Sequence, residues 1–399
     1  MKIVTFGCRI NTYESTLIRS FFDEEDDIVV INSCAVTSEA ERQCRQTIRK
    51  LACENPRSKI VVTGCAVQLH PELYGEMPEV SLVLGNREKL MKECYQKETG
   101  KIVSDIRKSD FDIPLIRDFE GKSRAFIQVQ QGCDNNCTFC IVRLVRGKNK
   151  GLLPKTVVEE VQDLVQKGFS EIVLTGVDLT SYPYGLSDLT ELILKEVSDL
   201  KRLRFGSLDP AGVDEKLIKL YQNEERIMPH AHFSIQAGDN LVLKRMGRRH
   251  SREQVLELTQ KLKEARSDII FGADLITGFP TETEEAFENT MDLVRRCPIT
   301  LLHVFPFSVR KETASSKMPA VSVAVRKERA FRLRALGKEI LHTYLKGQIG
   351  KKEKVLVEEK GVGYNTHYIK TIVDPKVPVG EIVEVINKGV SQDEFLETS

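Results

Sequence analysis

The chain has 399 residues, enough for two or three hydrophobic cores. Its 41% hydrophobic and 29% charged residues are ordinary for a globular protein. No run approaches the roughly 20 apolar residues of a membrane helix, so no membrane partner is expected, and a net charge of +1 excludes a polybasic or polyacidic chain.

The N-terminal run MKIVTFGCRI lacks the basic-then-apolar layout of a secretory signal and reads as a first strand. A cytoplasmic location follows as an expectation. In that reducing setting the ten cysteines are metal ligands or core residues rather than disulfides.

In chain order, Lys2–Gly7, Ile28–Asn32, Lys59–Thr63 and Val80–Leu84 read as buried strands, with helical stretches at 11–22 and 38–53 between them. Strands alternating with helices predict a doubly wound parallel sheet. Cys8, Cys34 and Cys65 each follow one of the first three strands. In an open parallel sheet those strand ends share one edge, where ligands bind. Three cysteines distant in sequence are thereby predicted to converge as a second three-thiolate site, with buried free cysteine as the alternative.

The polar segment 100–122, with Pro114, reads as a linker. A second alternating series follows. Its strands are Ala125–Gln130, Glu171–Thr175, Leu203–Ser207, His232–Gln236, Ile269–Ile276 and Leu301–Phe305, and its helices are 155–167, 188–199, 213–222, 251–266 and 282–296. Six such units predict a partial (β/α)6 barrel with its chemistry on the loops at the strand C-terminal ends. After Pro319 comes a long helix, with Leu333, Leu336, Ile340 and Tyr344 on one stripe and Lys327, Arg334 and Lys338 on another face. From about 348, the runs KVLVE and EIVEVI read as a small β module.

The first loop of the second series is GCDNNCTFC, which places Cys133, Cys137 and Cys140 at C-x3-C-x2-C spacing. Three thiolates on one short loop can hold three irons of a cubane iron–sulfur cluster and leave the fourth open to a small molecule. A structural zinc site needs a fourth ligand, and neither His nor Cys follows within a dozen residues.

Other candidates sit at the expected rim of the barrel. TGVDLTSY brings Gly176 and Asp178, SIQAGD brings Gln236, and GADLITGFP brings Asp274. Each has a plain reading beside the functional one, as a turn glycine or a structural acceptor. The basic run MGRRHSR at 246–252 suits phosphate contacts or a solvated face. Cys44, Cys53, Cys94 and Cys297 lie in helical segments without a partner pattern and read as core or surface.

GCDNNCTFC resembles the signature of radical S-adenosylmethionine enzymes, and the resemblance extends along almost the whole chain to the methylthiotransferases. FGCRINTYES, INSCAVT and VTGCAVQ resemble the cysteine motifs of that family's first domain. LTGVDLTSY, HFSIQAGDN, LKRMGRRHSR, FGADLITGFPTETEEAF and LHVFPFS resemble the branch acting on threonylcarbamoyladenosine in tRNA.

The resemblance implies a flavodoxin-like domain at 1–116, a radical-enzyme barrel at 117–345 and a TRAM-like β module at 346–399. It implies two 4Fe–4S clusters, with S-adenosylmethionine cleaved at the one on Cys133, Cys137 and Cys140 and sulfur delivered through the one on Cys8, Cys34 and Cys65. Phe139 would lie near the adenine of the cofactor, and Gly176, Asp178, Gln236 and Asp274 would be its rim contacts. The implied reaction adds a methylthio group to carbon 2 of N6-threonylcarbamoyladenosine at position 37. The implied partners of a monomeric enzyme are the tRNA anticodon stem-loop, an electron donor such as flavodoxin or ferredoxin, and a sulfur source.

Sister activities on isopentenyladenosine or a ribosomal-protein aspartate are the near alternatives. A redox-sensing RNA-binding protein is the distant one. The chain departs from the family after the loop, where CIVRLVRGKNKG keeps Arg146 and Gly147 but has Arg143 and Leu144 in place of a Pro-Tyr pair.

Overall fold

A computed structural model of the chain describes residues 1–108, 113, 115 and 123–398. Pro114 and the expected 116/117 boundary lie outside the described residues. The first unit is a five-stranded parallel sheet of Lys2–Thr5, Ile28–Ser33, Lys59–Gly64, Leu82–Leu84 and Gly100–Ile102. The strands stand side by side in chain order. The C-terminal ends of the first three are therefore adjacent.

The sheet is buried on both faces, which is why its strands read as continuous apolar runs. Val29, Ile31, Ile60 and Val62 pack with Ile48 and Leu51 of helix Ser38–Glu54. Ile28, Val30 and Val61 pack on the other face with Ile18 of helix Arg9–Arg19. The segment read as a linker from residue 100 begins instead as the fifth strand, paired with Leu82–Leu84. Its three residues Gly-Lys-Ile carry no alternating apolar pattern, so only backbone pairing makes them a strand.

All six expected strands of the second unit form. They are Arg124–Gln131, Glu171–Gly176, Arg202–Phe205 continuing as Ser207–Leu208, His230–Gln236, Ile270–Thr277 and Ile299–Pro306. They pair in parallel from neighbour to neighbour within two four-stranded sheets. Helices Pro154–Gln166, Leu186–Glu196, Glu215–Asn223, Arg252–Ala265 and Glu284–Arg296 cover the outside. Ala125, Ile127, Leu174, Phe233, Ala273 and Leu275 point into that outer core. Their sequence neighbours, including Gln128, His232 and Asp274, therefore face the barrel interior.

Helix Val323–Lys346 packs its Leu333, Leu336 and Ile340 against the barrel core. The last five strands, between Lys352 and Thr398, close into a small barrel of their own. That barrel plugs the end of the larger one at which the strands begin. The Tyr368 ring stacks on His230 at 5.4 Å and takes the guanidinium groups of Arg124, Arg204 and Arg9 at 4.9, 5.3 and 5.5 Å. Arg124 also bridges Glu171 of the barrel and Glu358 of the module. The cysteine loop follows the opposite, C-terminal end of the first strand.

Candidate active site

The Cys133 loop leaves strand Arg124–Gln131 through Gly132, whose φ of +73° favours glycine. Its course is pinned by backbone bonds from Cys133 to Gly147 at 3.2 Å and from Thr138 to Met246 at 2.9 Å. Phe139 does not stand free in the lumen. Its ring meets Phe279 edge-on at 6.4 Å in a small cluster with Met246 and Phe307, and so anchors the loop.

Amide groups point at two of the sulfurs, Asn135 N–H to Cys133 and Val142 N–H to Cys140, each at 3.4 Å. Burial first, with Asp178 and the neighbouring thiols adding to it, pushes the Cys133 thiol up to about 12, and burial with Cys137 pushes Cys140 up to about 11. Without a cation, these sulfurs would stay protonated.

Asp178, expected at the rim, is built into the loop. Its carboxylate accepts from Asn135 and Ser181, both at 2.7 Å, and lies 3.7 Å from the Cys133 sulfur. Gly176 makes room for Gln130, because a β-carbon there would lie 2.8 Å from the Gln130 side-chain oxygen. That same oxygen accepts the Asp178 amide at 2.8 Å. Gln236 sits at a register shift with a φ of +74°, an unusual conformation for a non-glycine residue.

Asp274 lies deeper and belongs to a group that sequence reasoning missed. His232 Nε2 and His303 Nδ1 both hydrogen-bond its Oδ1, at 3.1 and 3.2 Å. Burial alone would raise Asp274, and the two imidazoles outweigh it and hold the carboxyl well below its usual range. Gly272 supplies the space, since a β-carbon there would be 2.3 Å from His232 Nδ1. The signal was present as histidines at alternate strand positions, but pairing across three strands was needed to join them.

Much of the basic run at 246–252 is paired within the protein, while Arg249 also stays exposed. Arg248 and Arg249 bond Asp209 at 3.2 and 3.0 Å, and buried His250 bonds the Ile235 carbonyl oxygen at 3.1 Å. Arg252 pairs with Asp292. Burial alone would raise the Asp209 carboxyl, but His250, Arg248 and Arg249 hold it well below the usual range. The run braces the loop: Arg248 also reaches the Cys137 sulfur at 3.7 Å.

The second cysteine set converges at the edge of the first sheet. Cys34 is buried, and its thiol is pushed up to about 12 by burial and then by Cys65, with Cys8 adding to the rise. Gly7 passes so close that a β-carbon would lie 2.6 Å from the Cys34 sulfur. Cys44 and Cys297 are buried in the first and second cores, Cys44 in the cluster against which Cys65 packs. The altered flank is local in effect. Arg143 is exposed and bonds Asn136, while Leu144 packs on the first core.

The sequence matches the radical SAM superfamily over residues 127–294 and an uncharacterized protein family, UPF0004, over residues 1–85. It is 46% identical to a threonylcarbamoyladenosine tRNA methylthiotransferase of Rickettsia prowazekii, over 98% of this chain and 95% of that protein. It is 34% identical to the Thermotoga maritima protein of the same name, again over 98% and 95%. Among solved structures, a radical S-adenosylmethionine methyltransferase, TsrM, from Kitasatospora setae superposes with a TM-score of 0.56. That likeness, at 14% identity over 77% of this chain and 69% of the other, speaks for the fold alone. Two domain matches in chain order and end-to-end similarity lead to one conclusion: the chain belongs to the radical S-adenosylmethionine methylthiotransferases, in the branch of the threonylcarbamoyladenosine tRNA enzymes.

Proposed function

We propose that the protein adds a methylthio group to carbon 2 of N6-threonylcarbamoyladenosine at position 37 of tRNA, with Cys133, Cys137 and Cys140 holding one 4Fe–4S cluster and Cys8, Cys34 and Cys65 another. The observation that carries this reading is the presence of two three-thiol sets, each at the strand C-terminal ends of its own parallel sheet. The donor sets fit such clusters. Among the described residues, the one group whose ligand atoms crowd within 4.8 Å is His232, Asp274 and His303. A single tetrahedral ion, with bonds of about 2.3 Å to sulfur, would draw thiolates to about 3.8 Å from one another. The thiol sets are more open than that, as a polynuclear core requires.

When bound, the first cluster supplies one-electron reductive cleavage of S-adenosylmethionine, the chemistry that an unactivated carbon–hydrogen bond demands. The chain's own residues prepare the place. Asp178, Asn135 and Arg248 hold the loop, and Phe139 fastens it to the core behind. The module around Tyr368 closes the far end of the barrel and keeps water from entering there. Gln236 and Asp178 line the rim where the cofactor would lie. His303, with its side chain 60% exposed, presents a polar edge to the adenosine substituent, while His232 and Asp274 orient it.

We further propose the three-part division at 1–116, 117–345 and 346–399. We also propose a cytoplasmic location, where the tRNA anticodon arm is available. An electron donor and a sulfur source complete the reaction. The decisive experiment is mass spectrometry of tRNA nucleosides from cells lacking this protein. The methylthio form of threonylcarbamoyladenosine should vanish and return on complementation. Its persistence without a second such enzyme would overturn the substrate assignment.

A further inference from the structure

Arg146 lies in the segment after the Cys133 loop, yet its side chain belongs to the other cysteine set. Its Nε donates to the Cys65 sulfur at 3.2 Å, and its terminal nitrogens bond both carboxylate oxygens of Glu14 and the side-chain oxygen of Asn11. Lys89 approaches the same carboxylate at 2.6 Å. Its ammonium also donates to Asn86 at 2.7 Å and Asn32 at 3.3 Å, so three acceptors use its three hydrogens. The Glu14, Lys89 and Arg146 side chains are 1%, 0% and 3% exposed.

Two basic side chains share one carboxylate here, so their charged forms leave one net positive charge, and burial, with Arg146 beside it, lowers Lys89 from its ordinary value. An uncompensated charge in such a place is costly. Cys65 and, more weakly, Cys8 join Glu14 in favouring the charged form of Arg146. A doubly positive cubane core on three thiolates carries one net negative charge, which matches the excess.

We infer that Arg146 is a positioning residue for the N-terminal cluster: a guanidinium delivered from the barrel donates to the Cys65 sulfur, supplies the counter-charge for the cluster and raises its reduction potential. The inference rests on the reading that Cys8, Cys34 and Cys65 hold a cluster. It also makes the segment after the first loop the physical link between the two sites. Gly147, the next residue, accepts the Cys133 amide at 3.2 Å, so adjacent residues serve opposite cysteine sets.

The test uses the full chain with Cys133, Cys137 and Cys140 replaced by alanine, loaded with iron and sulfide without oxygen. Iron content and a reductive titration followed by electron paramagnetic resonance are read. Arg146→Gln should lose at least half of the remaining iron, or shift the reduction equilibrium of what remains about tenfold toward the oxidised form, about 59 mV lower for one electron. Arg146→Lys should recover part of the effect, because it keeps the charge without the fork. Glu14→Gln, which frees the cations, should move the potential upward.

Opposite signs at Arg146 and Glu14 are what a merely structural role would not produce, and the Lys and Gln variants decide the matter if Arg146→Gln fails to fold. A parent chain without iron would remove the second-cluster reading and this inference with it. A fully loaded parent whose iron content and potential are unchanged in every variant would remove the inference alone.

Discussion

The backbone of Gly132 runs so close to Lys148 that a β-carbon at Gly132 would lie 1.9 Å from the Lys148 carbonyl oxygen. With its φ of +73°, this makes the residue a steric keystone of the Cys133 loop. Gly132→Ala is expected to displace the loop and to cost on the order of 3 kcal/mol locally. Iron bound by Cys133, Cys137 and Cys140 should fall, while iron bound by Cys8, Cys34 and Cys65 should remain. Iron analysis of the variant, with and without Cys8, Cys34 and Cys65 replaced, checks this. Full loading of both sets would contradict it.

Tyr368 joins the module to the barrel through its ring face. Tyr368→Leu keeps apolar bulk but removes the surface against which Arg124, Arg204 and Arg9 rest. Desolvated contacts of this kind contribute about 2 kcal/mol. Thermal unfolding should shift downward by a few degrees, with earlier proteolysis at the start of the module. An unchanged transition would mean that backbone bonds alone hold the interface.

Asp209 gives a pH dependence with a defined sign. Its carboxyl is held below its unfolded value by His250, Arg248 and Arg249, so its contribution is complete above about pH 4. The contribution is lost as pH falls through the depressed folded value. Asp209→Asn should destabilise the protein by about 3 kcal/mol at neutral pH, since it leaves the buried Arg248 guanidinium without its carboxylate. The variant should lose less further stability than the parent on acidification below about pH 4. Denaturant melts across that window measure both slopes, and parallel slopes would refute the assignment.

His303 is the exposed member of the His232–Asp274–His303 group. If it faces the adenosine substituent, His303→Ala should raise the KM for tRNA about tenfold, as expected when a site loses one hydrogen-bonding partner. The yield of 5′-deoxyadenosine from S-adenosylmethionine without tRNA should stay near the parent value. A loss of that yield would place His303 at the cofactor instead.

Much of this site was legible before folding was considered. The loop at Cys133 declares itself by spacing, because its three sulfurs are bound to one short stretch of chain. The six barrel strands declare themselves by apolar runs between amphipathic helices. Gly100–Ile102 was missed for the opposite reason: a three-residue run with a single apolar side chain becomes a strand only through pairing with Leu82–Leu84. The partners of the run at 246–252 could not be read from spacing, because its neutralising carboxylates, Asp209 and Asp292, are distant in sequence.

The sequence by itself determined the two parallel αβ units, the terminal β module and the six cysteines at strand ends. These follow from local periodicity and from the geometry of any parallel sheet. Only the tertiary structure decided which charges meet. It gave Arg146 to Cys65 and Glu14, joined His303 to Asp274, and set Tyr368 among three arginines. Such partners are chosen by burial, where an unmatched charge must find its complement wherever the chain brings one. Spacing along the sequence carries no record of that choice.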